Sequence, residues 1–140
     1  MRYDEWEASV PEAMRDDALW SMRVYRAALY AAELGSRDAE RLGGNRAFLE
    51  LSDQLKRSTG SIGVNIAEGY SRLSRRDRSR FYEYALGSAR ESREWYYRAR
   101  EPLGPGTANG RIALHSAISH ILLVMLKNSR EPPPALDTKV

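Results

Sequence analysis

Apolar side chains recur along this chain at alternating spacings of three and four. That is the period of an α-helix with one buried face. The first stripe, Trp20, Val24, Ala27, Ala31 and Leu34, predicts a helix over residues 17–34, with Arg23, Arg26, Tyr30 and Glu33 off the stripe and Gly35 as the stop. A polar link, RDAERLGG, follows. The second stripe, Phe48, Leu51, Leu55, Ser58, Ile62, Ile66 and Gly69, predicts a helix over 45–70 that opens on Asn45 as N-cap. The third, Phe81, Ala85, Ser88, Ser92, Trp95 and Ala99, predicts a helix over 75–100. Ser74 followed by Asp77 resembles a capping box, and Pro102, Gly104, Pro105 and Gly106 break the chain beyond it. The fourth, Leu114, Ile118, Ile121 and Met125, predicts a helix that starts at Thr107 or Gly110 and runs to Asn128.

From Ile121 to Leu126 the fourth helix is apolar all round. In a bundle of four each helix should keep one wet face, so this segment predicts a second interface and an oligomer. No segment shows the sustained period-two alternation of a strand. The expected fold is all-α: an antiparallel up-and-down four-helix bundle over residues 17–130. An acidic N-terminal extension, 1–16, precedes it, and a tail, 131–140, expected to be mobile, follows.

Composition narrows the chemistry. The 140 residues suffice for one domain with a real core. The absence of cysteine excludes disulfides, thiolate nucleophiles and cysteine-based zinc sites. No GxGxxG, P-loop or GxSxG pattern is present, so no cofactor is expected. The N-terminus carries acids and no apolar core of a leader. The longest apolar run, Ile121 to Leu126, is too short to span a bilayer. A cytoplasmic protein without a membrane partner is the expectation.

The net charge of +3 is unevenly placed. Residues 72–80, RLSRRDRSR, carry a net +4, so the other 131 residues sum to −1. Cations at a helix N-terminus oppose the helix dipole, and arginine binds phosphate with two parallel hydrogen bonds. Arg72, Arg75, Arg76, Arg78 and Arg80, with Lys56, are therefore the candidate nucleic-acid contacts, weighed against an ordinary solvated helix start. Tyr70 and Tyr82 flank the run. In the aromatic block Trp95-Tyr96-Tyr97, Trp95 lies in the stripe and is the expected core residue, whereas Tyr97 points outward, toward an oligomer contact.

The stretch SIGVNIAEGY, residues 61–70, sets an amide, a carboxylate and two glycines into an apolar segment. At about 100° per residue, Asn65 lies about 60° and Glu68 about 120° to one side of Ile62, on the flank that also holds Arg57 and Ser61. On the third helix Tyr84, Glu91 and Arg98 form a comparable edge. If the edges meet, Arg57 pairs with Glu91, and Asn65 bonds backbone or Ser88. Arg57, Ser61, Asn65, Glu68, Ser88 and Glu91 thus read as a polar network that fixes helix register, with Gly63 and Gly69 as points of close approach. The competing reading makes Glu68 and Glu91 paired carboxylates of a metal-dependent hydrolase. Di-metal bundles use Glu-x-x-His pairs; none occurs here, His115 and His120 point to different sides of a helix, and no metal site is expected.

These residues carry a resemblance. Gln54-Leu55-Lys56-Arg57, then Ser61-Ile62-Gly63-Val64-Asn65-Ile66-Ala67-Glu68-Gly69, then Ala85-Leu86-Gly87-Ser88-Ala89-Arg90-Glu91 resemble the pattern of the four-helix bundle proteins first named from intervening sequences of bacterial 23S ribosomal RNA. The likeness is close over roughly residues 50–92. Gly60, Gly63 and the N-terminal extension depart from the pattern. The resemblance implies an antiparallel four-helix bundle that assembles as a homopentamer, with no known catalytic activity. Relatives serve as accessory subunits of the reverse transcriptases of diversity-generating retroelements. The expected partners are therefore other copies of the chain, RNA or DNA, and a reverse transcriptase or another protein.

Overall fold

The computed structural model describes residues 1–130, and the expected tail at 131–140 lies outside the described residues. Four long helices dominate: α3 (Arg23–Gly43), α4 (Leu49–Tyr70), α5 (Arg75–Arg98) and α7 (Pro105–Arg130). Three short ones, α1 (Tyr3–Ser9), α2 (Glu12–Arg15) and α6 (Arg100–Leu103), sit at the N-terminus and between α5 and α7. No strand occurs among the described residues. The long helices pack in a closed cycle, α3 on α4, α4 on α5, α5 on α7, and α7 on α3. Consecutive members run in opposite directions, since Ser52 meets Ala39, Arg57 meets Glu91 and Arg93 meets Ser116.

The second stripe holds, but its α-helix starts at Leu49, because Asn45 caps a 3₁₀ turn over Arg46–Phe48, accepting from Ala47 N at 2.9 Å. Leu55, Ser58, Ile62, Ile66 and Gly69 are buried, with Phe48 and Leu51 packed at the edge. The other three need correction. The first long helix starts at Arg23, because residues 18–21 form a 3₁₀ turn capped by the Asp17 carboxylate on Leu19 N at 2.9 Å. It does not stop at Gly35 but runs on through most of the expected link. Gly35 serves packing: a Cβ there would stand 2.1 Å from Thr59 Oγ1, so α3 and α4 can touch only at a glycine. Gly69 has the same role against Tyr82, whereas Gly63 leaves ordinary contact distances and is not a point of close approach.

The buried faces of α5 and α7 are rotated by about one residue from the expected stripes. In α5 Tyr82, Ala85, Leu86, Ala89, Ser92 and Tyr96 are buried, while Phe81 and Trp95 are half-buried. Tyr96, not Trp95, is therefore the core aromatic. In α7 His115, Ile118, Ser119, Leu122 and Leu126 face inward, and Leu114, Ile121 and Met125 flank them. Gly104 adopts φ 88°, the left-handed conformation that suits glycine, and Pro105 opens α7, ahead of the expected start at Thr107 or Gly110.

The N-terminal segment is ordered against α3. Tyr3, Trp6, Trp20 and Tyr30 cluster with ring centroids 5.2 to 6.0 Å apart, and the Tyr30 hydroxyl donates to Met1 O at 2.8 Å. Residues Pro105–Asn128 have the length and apolar composition of a membrane span. Their inward stripe is part of the protein core, Arg111 within them pairs with a buried acid of α3, and Leu123 and Val124 on the outer face are exposed.

The core has two apolar clusters. One, around Val24, Ala28, Ile62, Ile66, Ala85, Ile118 and Leu122, fills the half near the α4–α5 turn. The other, around Leu42, Leu55, Tyr96, Ala99 and Leu103, fills the opposite half. Buried polar side chains, Asp38, Ser58, Thr59, Ser92 and His115, lie at the junction.

Candidate nucleic-acid interface

The turn between α4 and α5 carries the arginine run. Ser74 opens α5 as a true N-cap, its hydroxyl accepting from Asp77 N at 3.0 Å. Arg78 holds the turn itself, donating through Nε to Arg72 O and through Nη2 to Leu73 O, each at 3.2 Å. Arg72 pairs with Glu68 at 3.1 Å and lies 4.8 Å over the Phe81 ring. Arg75 donates to Asn128 O at 3.3 Å, placing a cation on the carbonyl end of α7, where the helix dipole favours it. Arg80 lies 5.5 Å from the Phe81 centroid. Arg76 makes no hydrogen bond or ion pair with a described residue. All five side chains are exposed, and Leu73 among them is 97% exposed.

The arginines thus divide. Arg72, Arg75 and Arg78 build the turn and tie it to α7, which answers part of the dipole conflict read from the sequence. Arg76 and Arg80 are left to face outward. Lys56 is not brought to this end: sixteen residues separate it from Arg72, about 24 Å along the helix. It lines a shallow groove with Ser36, Glu40 and Asp53 instead.

The residues expected to form a polar network are partly brought together. Arg57 Nη2 lies 2.5 Å from Glu91 Oε1 and also donates to Gln54. The Ser61 and Ser88 hydroxyls are 2.6 Å apart, and those of Ser58 and Ser92 are 3.0 Å apart. The Asn65 amide donates to Ser61 O at 2.9 Å, within its own helix. Glu68 stands apart, three turns from Arg57 and paired with Arg72. Glu68 and Glu91 therefore form no carboxylate pair. No group of three or more His, Asp or Glu side chains suited to a metal occurs among the described residues.

The residue pattern did not reveal the most buried polar constellation. Asp38, in the expected link, is 2% exposed. It accepts from the Tyr96 hydroxyl and from Arg111 Nε, each at 2.7 Å. Burial, and then the Asp38 charge, raise the Tyr96 hydroxyl well above the usual tyrosine range. His115 stacks near Tyr96 with centroids 5.6 Å apart, and neither ring nitrogen has a hydrogen-bond partner among the described residues. Burial, helped by Arg111 and Arg93, pushes its pKa down to about 4. The only sequence hint was the i, i+4 placement of Asp38 beyond Leu34, on the inward face of a helix assumed to have ended.

Residues 39–103 match the profile of the 23S rRNA-intervening sequence protein family. All three motifs quoted above lie within that span, so the resemblance read from them is shown. A crystal structure from Bacteroides thetaiotaomicron VPI-5482, described as a protein with unknown function from the S23 ribosomal protein family, superposes with a TM-score of 0.71 at 24% identity. The likeness covers 74% of this chain and 98% of that one, and at this identity it shows a shared fold. No curated protein gives a significant match to the sequence.

Proposed function

We propose that this chain is a non-enzymatic, antiparallel four-helix bundle that assembles with copies of itself, as a pentamer, and binds RNA through the arginine-rich end of the bundle. The observation that carries the reading is the division of labour at the α4–α5 turn. Arg76 and Arg80 are exposed and outward, on a turn that three other arginines already stabilise. Fold stability needs neither of them there, and phosphate contact does. Self-assembly is supported by the outer face of α7, where Leu123 and Val124 are exposed beside half-buried Ile121 and Met125. A ring of copies would multiply the field of each arginine cluster.

The test is RNA retardation across a salt series with Arg76→Ala/Arg80→Ala. Wild-type binding should weaken steeply with salt, and the double variant should bind more weakly, with a salt slope shallower by about two phosphate contacts. Its melt and its mass by light scattering should be unchanged. Unaltered RNA affinity in the double variant would sink the reading.

A second reading, a scaffold or accessory subunit that docks on a reverse transcriptase or another enzyme, is favoured by Leu73, which stands fully in solvent at the same tip. It predicts a stable complex with a protein encoded nearby, lost in Leu73→Ser and kept in the arginine variant.

A further inference from the structure

A groove of about 490 Å³ runs between α5 and α7 at the end of the molecule away from the arginine turn, lined by Arg90, Arg93, Glu94, Tyr97 and Ile112. The sequence placed Tyr97 outside the core, and the structure leaves it 56% exposed. Its ring is already dressed. The Arg100 guanidinium lies 3.7 Å from the ring centroid while its Nε donates to Tyr97 O at 2.9 Å. Two bonds to the same residue fix that stack. Arg93 reaches Ser116 Oγ on α7 at 3.4 Å, which steadies it at the wall. Arg90 makes no hydrogen bond or ion pair with a described residue. The acid in the groove, Glu94, faces Arg98 at 3.4 Å, so its charge is largely answered.

From this geometry we propose that the α5–α7 groove binds an unpaired nucleotide of single-stranded nucleic acid, its base stacked on the Tyr97–Arg100 platform and its phosphate on Arg90 and Arg93. An aromatic face beside a cationic track is what single strands use, since every base offers a π-face and every residue a phosphate. The half-buried Ile112 gives the groove an apolar floor that suits a base edge. An acidic peptide would use the arginines but would gain nothing from an exposed, guanidinium-backed ring.

The site shares its ligand class with the function proposed above but not its surface. Twenty-one residues of α5 separate Arg76 from Tyr97, about 30 Å. The two can therefore fail independently.

The experiment is fluorescence anisotropy of the full chain at low salt with a labelled ten-nucleotide oligouridine, a matched RNA duplex and a labelled polyglutamate peptide. Tyr97→Ala should weaken oligouridine binding about tenfold, the worth of one stacked base, and leave duplex binding unchanged. Tyr97→Phe, which keeps the ring, should bind oligouridine as wild type does. Arg90→Ala should weaken oligouridine binding and flatten its salt dependence. Because Tyr97 and Arg90 are exposed, their thermal melts should match wild type. Oligouridine affinity unaffected by Tyr97→Ala would overturn the proposal. So would an equal loss on the duplex, or polyglutamate binding as tight as oligouridine binding.

Discussion

Two sides of the same core handle polarity in opposite ways. Where α4 meets α5, the polar groups are small or sit at the rim. Serine hydroxyls face each other across the seam, and the Arg57–Glu91 pair keeps its side chains 59% and 35% exposed. Where α3 approaches α5 and α7, a charge is buried. Asp38 is sealed in and holds Tyr96 and Arg111 at once. The rim pair is screened by water, and its loss should be felt little. The buried triad has exchanged hydration for two short bonds, so its stability depends on every member staying in place. The first side sets how closely helices approach; the second sets which helices belong together, because its members come from three of them.

The sharpest way to break the contrast is to remove one buried partner. Arg111→Met should cost about 3–5 kcal/mol of unfolding free energy, measured by urea denaturation, because the Asp38 carboxylate then keeps only the Tyr96 hydroxyl. Adding Asp38→Asn should return part of that loss, since the amide needs no counter-charge and its oxygen still accepts from Tyr96. A single-variant cost below about 1 kcal/mol would place the buried side on a par with the rim.

His115 offers a second probe of the buried side, through pH. Its folded pKa, about 4, lies below the ordinary histidine value of 6.5. The fold thus favours the neutral ring. That contribution is fully present above pH 6.5 and is lost as pH falls from 6.5 toward 4. Each unit within that window should cost about 1.4 kcal/mol for one proton, or roughly 3 kcal/mol across it. The difference in stability between wild type and His115→Phe, followed from pH 7 to 4, isolates this from the carboxylates that titrate below pH 5. A difference that stays flat with pH would show that protonated His115 is tolerated in the core.

On the α4–α5 side the sensitive quantity is volume. Ser58 and Ser92 are fully buried with their hydroxyls 3.0 Å apart, so the helices stand close. Ser92→Val adds bulk at that contact and strips a hydroxyl that bonds Ser88 O at 2.8 Å. The expected cost is about 1–3 kcal/mol by thermal melt. Ser92→Ala, which only strips the hydroxyl, should cost less; the reverse order would mean that the seam has room for the added bulk.

What the sequence disclosed follows the same division. The α4 stripe was legible from Leu55 to Gly69 because its inward residues recur at spacings of three and four. The meeting of Arg57 with Glu91 was legible because both edges are defined within their own helices. The buried triad was not. Asp38 and Arg111 stand 73 positions apart, and a lone Asp in RDAERLGG carries no local sign of a partner. The rotation of α5 escaped for a related reason. Trp95 and Tyr96 are both good core aromatics, and the choice fell to Tyr96 because its hydroxyl finds Asp38, a partner on α3 that local periodicity does not contain. The arginine run at 72–80 was visible as charge, yet which arginines are committed to the turn became clear only from their carbonyl partners on residues 72, 73 and 128.

The smallest expected effect completes the contrast. Glu91→Gln removes the charge from the rim pair and preserves its shape. The amide oxygen can still accept from Arg57 and from the Trp95 indole, which lies 3.3 Å from Glu91 Oε1. Only the Coulomb part is lost, and at this exposure that part is screened. The expected change is below about 1 kcal/mol, and it should shrink further as salt is raised from 0.05 to about 0.5 M. Arg111→Met should show no comparable relief from salt, because water and ions do not reach Asp38. If Glu91→Gln costs as much as Arg111→Met, and does so at high salt, then the Arg57–Glu91 pair is protected by a surface that the single chain leaves open. An oligomer contact over the α4–α5 rim would provide such protection, and light scattering of the two variants would show whether the loss is one of folding or of assembly.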